Sequence, residues 1–255
     1  MSKLFTNATL VLPDRLLPNS WLLEDGGKIR RYGNGPAPEA DEIIDCGGKY
    51  LSPGFIDVHC HGGGGGSFMS MDCDQHIKAM QMHLQHGTTA LTPTPGTINP
   101  EEIRILGDIK RVIDSRDDLP HHLGYFMEGP LTQPHPDMKV GNAKAPVITK
   151  EIYEPAIAAA KGIVNRWMAA PELEGGMEFG RALLEAGITG CMGHSNATLA
   201  EVEEAMRNGY SCVVHLYSVM STVTRDNGFR RGGLVEAGLL LDDLDMEIIC
   251  DGCHL

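Results

Sequence analysis

Hydrophobic and polar residues follow two different patterns along the chain. In the first fifty residues, four short apolar stretches are separated by proline, glycine and aspartate, the turn residues that join strands into hairpins. These stretches predict strands at residues 3–12, 19–24, 27–32 and 43–50. We therefore expect the N-terminal part of a small, sandwich-like β domain over residues 1–52.

From residue 53 onwards, short apolar runs alternate with segments of helical periodicity. The runs predict seven strands, at residues 55–61, 88–94, 122–130, 162–172, 188–195, 211–217 and 246–252. Five helices are predicted between them, at residues 74–86, 100–115, 150–161, 177–186 and 200–208. This alternation is typical of parallel βαβ units. A doubly wound sheet would also fit, but polar residues end most of the runs, which favours a TIM-type (β/α)8 barrel over residues 53–255.

The number of predicted strands is one short of the eight that close such a barrel. A barrel lacking one strand leaves two unpaired, hydrophobic edges, which is a liability for a folded protein. We therefore expect that these residues supply strands one to seven and belong to a longer protein.

Composition narrows the range of partners. A formal net charge of −13 argues against binding to nucleic acid or to an anionic membrane surface, because both would repel the protein. The negative net charge does not exclude a small anionic substrate, since a single positioned arginine can bind a phosphate group. The start of the chain lacks the pattern of a signal peptide, and no run of 18 apolar residues occurs.

The seven cysteines are scattered along the chain, which is typical of reduced, buried thiols in a cytoplasmic protein. Cys250 and Cys253 form a C-x-x-C motif that could indicate redox chemistry or zinc. We interpret them as core thiols, because no second C-x-x-C accompanies them and an apolar run precedes them.

A metal site is predicted at the ends of several strands. His59 and His61 are two residues apart on one strand, so both side chains point to the same face while the residue between them points away. Glu128, His194 and His215 end other strands. Imidazole and carboxylate groups gathered at one face of a barrel suit zinc or a similar divalent ion.

Three further histidines, His76, His83 and His86, fall on one predicted helix. We interpret them as partly exposed helix residues and predict no second metal site there.

Six motifs occur in the order PGFIDVHCHG, EGP, GHSNAT, HLYSVM, RDNG and CDGCH. In this order, and over nearly the whole chain, the sequence resembles the N-acetylglucosamine-6-phosphate deacetylases of the amidohydrolase superfamily. The resemblance implies that Glu128, His194 and His215 hold the catalytic metal. It implies that His59 and His61 contribute to a second metal position or to the wall of the site.

The resemblance also implies residues that bind substrate. Arg225, in the RDNG turn, matches the arginine that binds the sugar phosphate, and a guanidinium fits phosphate oxygens in a bidentate manner. The neighbouring arginines at 230 and 231 are alternatives for that role, or residues of a solvated loop. His254 matches a histidine that contacts substrate.

The chain departs from the family pattern at three places. Ser218 and Val219 replace the asparagine and alanine expected after the H-L-Y sequence, where the substrate should lie. Residues 140–143, which include Asn142, replace a K-G-A-H sequence. The T-D-A motif that carries the family's catalytic aspartate does not occur in these 255 residues, so no catalytic acid or base is identified, and His254 is the one visible substitute.

These observations predict a zinc-dependent hydrolase that converts N-acetylglucosamine 6-phosphate to glucosamine 6-phosphate and acetate, acting as a homodimer. A deacetylase of another amino-sugar phosphate, such as a galactosamine derivative, is an alternative, and so is a cyclic-amide hydrolase. If the protein ends at residue 255, a non-catalytic metal- or sugar-binding protein is expected instead.

Overall fold

The protein is described by a computed structural model that covers residues 1–134 and 144–254. It contains two compact units, Met1–Phe55 and Ile56–Leu255.

The first unit is a five-stranded sheet. Its strands are β1 (Ser2–Val11), β2 (Leu16–Asp25), β3 (Lys28–Asn34), β4 (Glu42–Asp45) and β5 (Tyr50–Leu51). Strands β1, β2 and β3 pair in antiparallel hairpins, as the turn residues predict. The expected hairpin onto the fourth strand is wrong: β4 and β5 both pair with β1 in parallel. The turn residues in segment 35–41 therefore do not form a tight hairpin; the segment carries the chain across the sheet to the far side of β1.

The second unit alternates strands and helices. Its main strands are β6 (Phe55–Cys60), β9 (Thr88–Pro93), β10 (His121–His122), β11 (Tyr125–Glu128), β12 (Val164–Ala169), β13 (Thr189–Met192), β14 (Tyr210–Val213) and β17 (Asp245–Met246). Two small hairpins accompany them, formed by β7 (Gly62–Gly63) with β8 (Gly66–Ser67) and by β15 (Thr224–Asp226) with β16 (Phe229–Arg231). The helices are α1 (Cys73–Gln85), α2 (Pro100–Asp114), α3 (Lys150–Ala160), α4 (Gly176–Glu185), α5 (Leu199–Arg207) and α6 (Leu234–Leu240), the last of which was not predicted.

The main strands follow one another in chain order through two sheets. One sheet has the order β10-β9-β6, and the other has the order β11-β12-β13-β14-β17. Strands β10 and β11 are two halves of the predicted third strand, interrupted at Gly124, whose φ of 116° is outside the strand region. The pairs β9–β10, β11–β12, β12–β13, β13–β14 and β14–β17 are parallel.

The last strand is shorter than the sequence predicted. The apolar run at 246–252 indicated a full strand, whereas β17 spans only Asp245–Met246. Within the described residues β17 pairs with β14 alone, so its ladder hydrogen bonds form on one side only.

One half-buried side chain on β12 contacts three other main strands and the end of a fourth. The guanidinium of Arg166, on β12, donates a hydrogen bond of 2.9 Å to the carbonyl oxygen of Val58 and lies 4.6 Å from the ring centroid of Phe126. It also contacts the thiol of Cys212 and forms an ion pair with Glu247, directly after β17. Strands β6, β11, β12 and β14 and the end of β17 therefore surround a common interior.

Helix ends follow from local chemistry. The Asp72 side chain accepts the Asp74 amide at the start of α1, and Asn99 does the same for Glu101 at the start of α2. At the start of α5, Thr198 forms a capping box with the residue three positions later. Each cap satisfies an amide that has no partner within its helix.

Two expectations about burial are corrected. His76 is fully buried on α1 rather than partly exposed, because its Nδ1 contacts the hydroxyl of Tyr125 and its Nε2 contacts a backbone carbonyl. All seven cysteines are free, and three of them are buried, Cys60, Cys191 and Cys212. Cys46 and Cys73 are half-buried, and Cys250 and Cys253 are exposed and are therefore not core thiols. They follow the short β17 in a stretch without regular structure. No helix in the described part of the chain is long and apolar enough to cross a membrane.

Candidate metal centre

Five predicted ligand side chains meet at the carboxyl ends of the main strands. Glu128 ends β11, His59 and His61 lie at the end of β6, and His194 and His215 follow β13 and β14. Oε2 of Glu128 lies 3.3 Å from Nε2 of His59 and 2.6 Å from Nε2 of His61. Oε1 of the same carboxylate lies 3.6 Å from Nε2 of His194 and 3.1 Å from Nε2 of His215.

Glu128 thus stands between two sets of nitrogen ligands. One group of potential ligand atoms comprises Glu128 with the His59–His61 pair, and the other comprises Glu128 with His194 and His215. In each group the three ligand atoms lie within 4.8 Å of one another. A carboxylate with two oxygens can serve both groups at once.

The protonation pattern fits a cation at this point. Nδ1 of His61 lies 2.9 Å from the carbonyl oxygen of Thr94, which can only accept, so the proton sits on Nδ1 and the lone pair on Nε2 is free for a metal. Without an ion, a second proton must bridge Nε2 and Glu128. A divalent cation held by these two groups would take the place of that proton.

Contacts between Glu128 and the surrounding histidines shift the pKa values of Glu128 and His61. Burial alone would raise the pKa of Glu128, but hydrogen bonds from His215, His59 and His61 outweigh it and hold that pKa far below its usual value. The hydrogen bond to Glu128 raises the pKa of His61, against the opposing effect of burial. The carboxylate of Glu128 is therefore ionised and able to bind a cation.

The loops that present these histidines adopt unusual backbone conformations. His194, His215, Tyr217 and Val219 all have positive φ, at 45°, 86°, 79° and 52°. Side chains with a Cβ rarely adopt this region, and such strain is typical of functional sites. A hydrogen bond of 3.1 Å from the Ser195 amide to the Val219 carbonyl joins the two loops.

A carboxylate that the sequence analysis missed supports the His194 loop. Glu172, which follows β12, accepts a hydrogen bond of 2.7 Å from the Ser195 hydroxyl and one of 2.6 Å from the Asn196 amide. It also accepts from the side-chain amide of Gln133, whose own backbone amide donates to the His194 carbonyl. Glu172 lies at the end of a predicted strand, which was the one available signal.

The predicted substrate residues lie in different places. Arg225 is exposed on the β15–β16 hairpin, directly opposite Arg230. Two arginines facing each other across a hairpin repel, so the pair favours an anionic ligand. Exposed His254 is hydrogen-bonded through Nδ1 to Asp251 at 2.8 Å.

The residues at the two motif departures are only partly described. Half-buried Ser218 donates its amide to the His215 carbonyl at 3.3 Å, next to Val219. Asn142 lies outside the described residues.

No protein-family model matches the chain. Among curated proteins, N-acetylglucosamine-6-phosphate deacetylases match it: that of Caenorhabditis elegans is 33% identical over 230 residues, and that of Bos taurus is 32% identical over 235 residues. Both alignments cover 84% of this chain and 54% of the relative, so the chain spans about half the length of the curated relatives it matches.

Among solved structures, too, N-acetylglucosamine-6-phosphate deacetylases are similar to this chain. The deacetylase of Pasteurella multocida superposes with a TM-score of 0.83 at 27% identity, over 100% of this chain and 66% of that one. A variant of the Mycobacterium smegmatis enzyme in complex with N-acetyl-D-glucosamine-6-phosphate superposes with a TM-score of 0.81 at 26% identity, over 100% and 65% of the two chains. An amidohydrolase at 17% identity, with a TM-score of 0.55 over 84% of this chain and 61% of that one, shows similarity of fold alone.

The parallel strands, with histidines and a carboxylate at their carboxyl ends, define a protein of the metal-dependent amidohydrolase fold. Within that class, the chain belongs to the N-acetylglucosamine-6-phosphate deacetylase family.

Proposed function

We propose that this chain carries the metal-binding part of an active site that hydrolyses the acetamide of N-acetylglucosamine 6-phosphate to glucosamine 6-phosphate and acetate. The observation that carries the proposal is the half-buried carboxylate of Glu128, surrounded by four imidazoles at the carboxyl ends of parallel strands. The names of the relatives supply the substrate class.

The ligands that would hold the ion are Glu128, His194 and His215, with His59 and His61 able to hold a second ion on the other oxygen of Glu128. Nitrogen and oxygen donors of this kind favour zinc. When bound, a divalent ion lowers the pKa of water and polarises an amide carbonyl.

The residues of the chain contribute positioning around that centre. Glu172 fixes the turn that carries His194, and the carbonyl of Thr94 fixes the ring of His61. Arg225 and Arg230 offer guanidinium groups to a sugar phosphate. Hydrolysis also requires a proton on the departing nitrogen, and no residue of this chain is assigned that role.

We also infer that the main strands are strands one to seven of a (β/α)8 barrel spanning residues 53–255, with residues 1–52 as a separate β domain. The contacts of Arg166 support the barrel, because one side chain reaches strands β6, β11 and β14 and the end of β17 only if they curve around it. Free cysteines support the predicted cytoplasmic location, and the homodimer stays a prediction.

The test measures acetate released from N-acetylglucosamine 6-phosphate, its galactosamine counterpart and both unphosphorylated sugars, before and after chelator treatment. We expect metal-dependent release that is fastest with the glucosamine phosphate, and slow because no residue of this chain is assigned the proton transfer. Glu128→Gln should lose this activity and the metal bound at this centre. Faster release from another sugar would favour the alternative deacetylase. Tight metal binding without release from any sugar would favour a non-catalytic binding protein.

A further inference from the structure

A third group of potential ligands lies where β6 meets α1, separate from the two groups that share Glu128. A carboxylate oxygen of Asp57, the Sγ atom of Cys60 and a ring nitrogen of His83 all lie within 4.8 Å of one another. None of these three residues belongs to the five-residue centre, and among the three groups found in the described residues this is the one that contains sulfur.

Cys60 and His83 are in direct contact. The Sγ atom of Cys60 lies 3.0 Å from Nε2 of His83, and both atoms also reach the carbonyl oxygen of Gly62, at 3.2 Å and 3.1 Å. Cys60 is only 9% exposed, while His83 and Asp57 are half-buried. An ion can therefore approach from the side of His83 and Asp57.

The surroundings hold the three side chains in place. The ring of His83 stacks on buried Phe68, with centroids 6.5 Å apart and an interplanar angle of 21°. One oxygen of Asp57 accepts the amide of His59, which leaves the other oxygen available. The glycine hairpin lies close against α1, because a Cβ at Gly63 would collide with Met82 and approach His83.

Cysteine sulfur, imidazole and carboxylate together form the donor set of zinc and of the other divalent ions that prefer sulfur, and a bound ion displaces the thiol proton. Three protein ligands leave one coordination position open.

We propose that Asp57, Cys60 and His83 form an additional site for a sulfur-preferring divalent cation such as Zn²⁺. The bound cation joins β6, through Asp57 and Cys60, to helix α1, through His83. It thereby restricts the motion of β6 relative to α1 and shares no ligand with the Glu128 centre.

Co²⁺ is the probe for this site, since a thiolate–Co²⁺ bond gives a near-ultraviolet charge-transfer band that nitrogen and oxygen ligands do not give. The chelator-treated 255-residue chain is titrated with CoCl₂ in a Cys250→Ser/Cys253→Ser background, which removes the exposed thiols. We expect a charge-transfer band that saturates at one thiolate-bound ion per chain. The band must disappear in Cys60→Ser and persist in the matched control Cys46→Ser, since Cys46 lies in the first unit.

Two further variants keep the test decisive if Cys60→Ser fails to fold. His83→Gln changes a half-buried residue near the end of a helix and should weaken Co²⁺ binding, measured by the same band, by about tenfold or more. Glu128→Gln should leave the band unchanged, which separates this site from the proposed catalytic centre. A band that is absent from the background protein, that survives in Cys60→Ser or that is unaffected by His83→Gln would overturn the proposal.

Discussion

Arg166 and Glu247 form an ion pair among the parallel strands, with side chains that are only 13% and 17% exposed. The second oxygen of Glu247 is buried and has no hydrogen-bond partner in the described residues. Removing one member of such a pair leaves an uncompensated charge in a medium of low polarity. The stability of the second unit should therefore depend on keeping both members of this ion pair.

We predict that Arg166→Met lowers the free energy of unfolding by about 3–5 kcal/mol, measured by urea denaturation. The double variant Arg166→Met/Glu247→Leu should lose less than Arg166→Met alone, because it removes both charges. Arg207→Met, which breaks an exposed pair with Glu204, should cost at most about 1 kcal/mol. Equal losses in the buried and exposed variants would contradict the prediction.

Glu172 should position His194 without binding metal itself. We predict that Glu172→Gln weakens metal binding by about 10–100-fold, because the new amide cannot accept from both Ser195 and Asn196. Isothermal titration with Zn²⁺ measures the affinity, and thermal unfolding checks that the fold is kept. The nearby exposed Glu174→Gln is the control and should leave the affinity unchanged. An affinity in Glu172→Gln equal to that of the unaltered protein would show that the His194 turn needs no such support.

Arg225 should recognise phosphate. We predict that Arg225→Ala raises KM for the phosphorylated sugar and leaves the rate on the unphosphorylated sugar nearly unchanged, because only the former loses a charge-assisted contact. Steady-state kinetics on both sugars measures the difference, with Arg15→Ala in the first unit as control. An equal loss on both sugars would assign Arg225 a structural role.

The acid sensitivity of the fold should depend partly on His122. Burial, assisted by the charge of Lys110, lowers the pKa of His122 to about 3. Its Nδ1 accepts the amide of Gly124, so the ring is neutral in the folded protein. Between its unfolded pKa of about 6.5 and the folded value, only the unfolded chain binds the proton, and stability falls as the pH falls.

We predict that this residue contributes up to about 1.4 kcal/mol per pH unit to that loss, beginning near pH 6.5 and ending near pH 3. His122→Asn, which keeps an acceptor near the Gly124 amide, should show a flatter dependence of unfolding free energy on pH. His86→Gln, at an exposed helix end, is the control. Identical slopes in His122→Asn and the unaltered protein would exclude the effect.

The sequence by itself determined the alternation of strands and helices in the second unit and the faces on which their side chains point. The two-residue period of a strand puts His59 and His61 on one face and Cys60 on the other. Helix-capping residues such as Asn99 and Thr198 mark where helices begin, because they bond to amides only a few positions away. These features depend on interactions within short segments, so the order of residues is sufficient to predict them.

The tertiary structure decided what depends on residues distant in sequence. Helix α1 brings His83 against Cys60, 23 residues earlier, although the spacing of its histidines indicated nothing more than a solvated helix face. Glu172 meets Ser195 and Asn196 only after two strands have packed side by side. Strand β4 pairs with β1 rather than with its neighbour in sequence. Such contacts form between side chains and strand edges that only packing brings together, and no local period or turn residue encodes their partners.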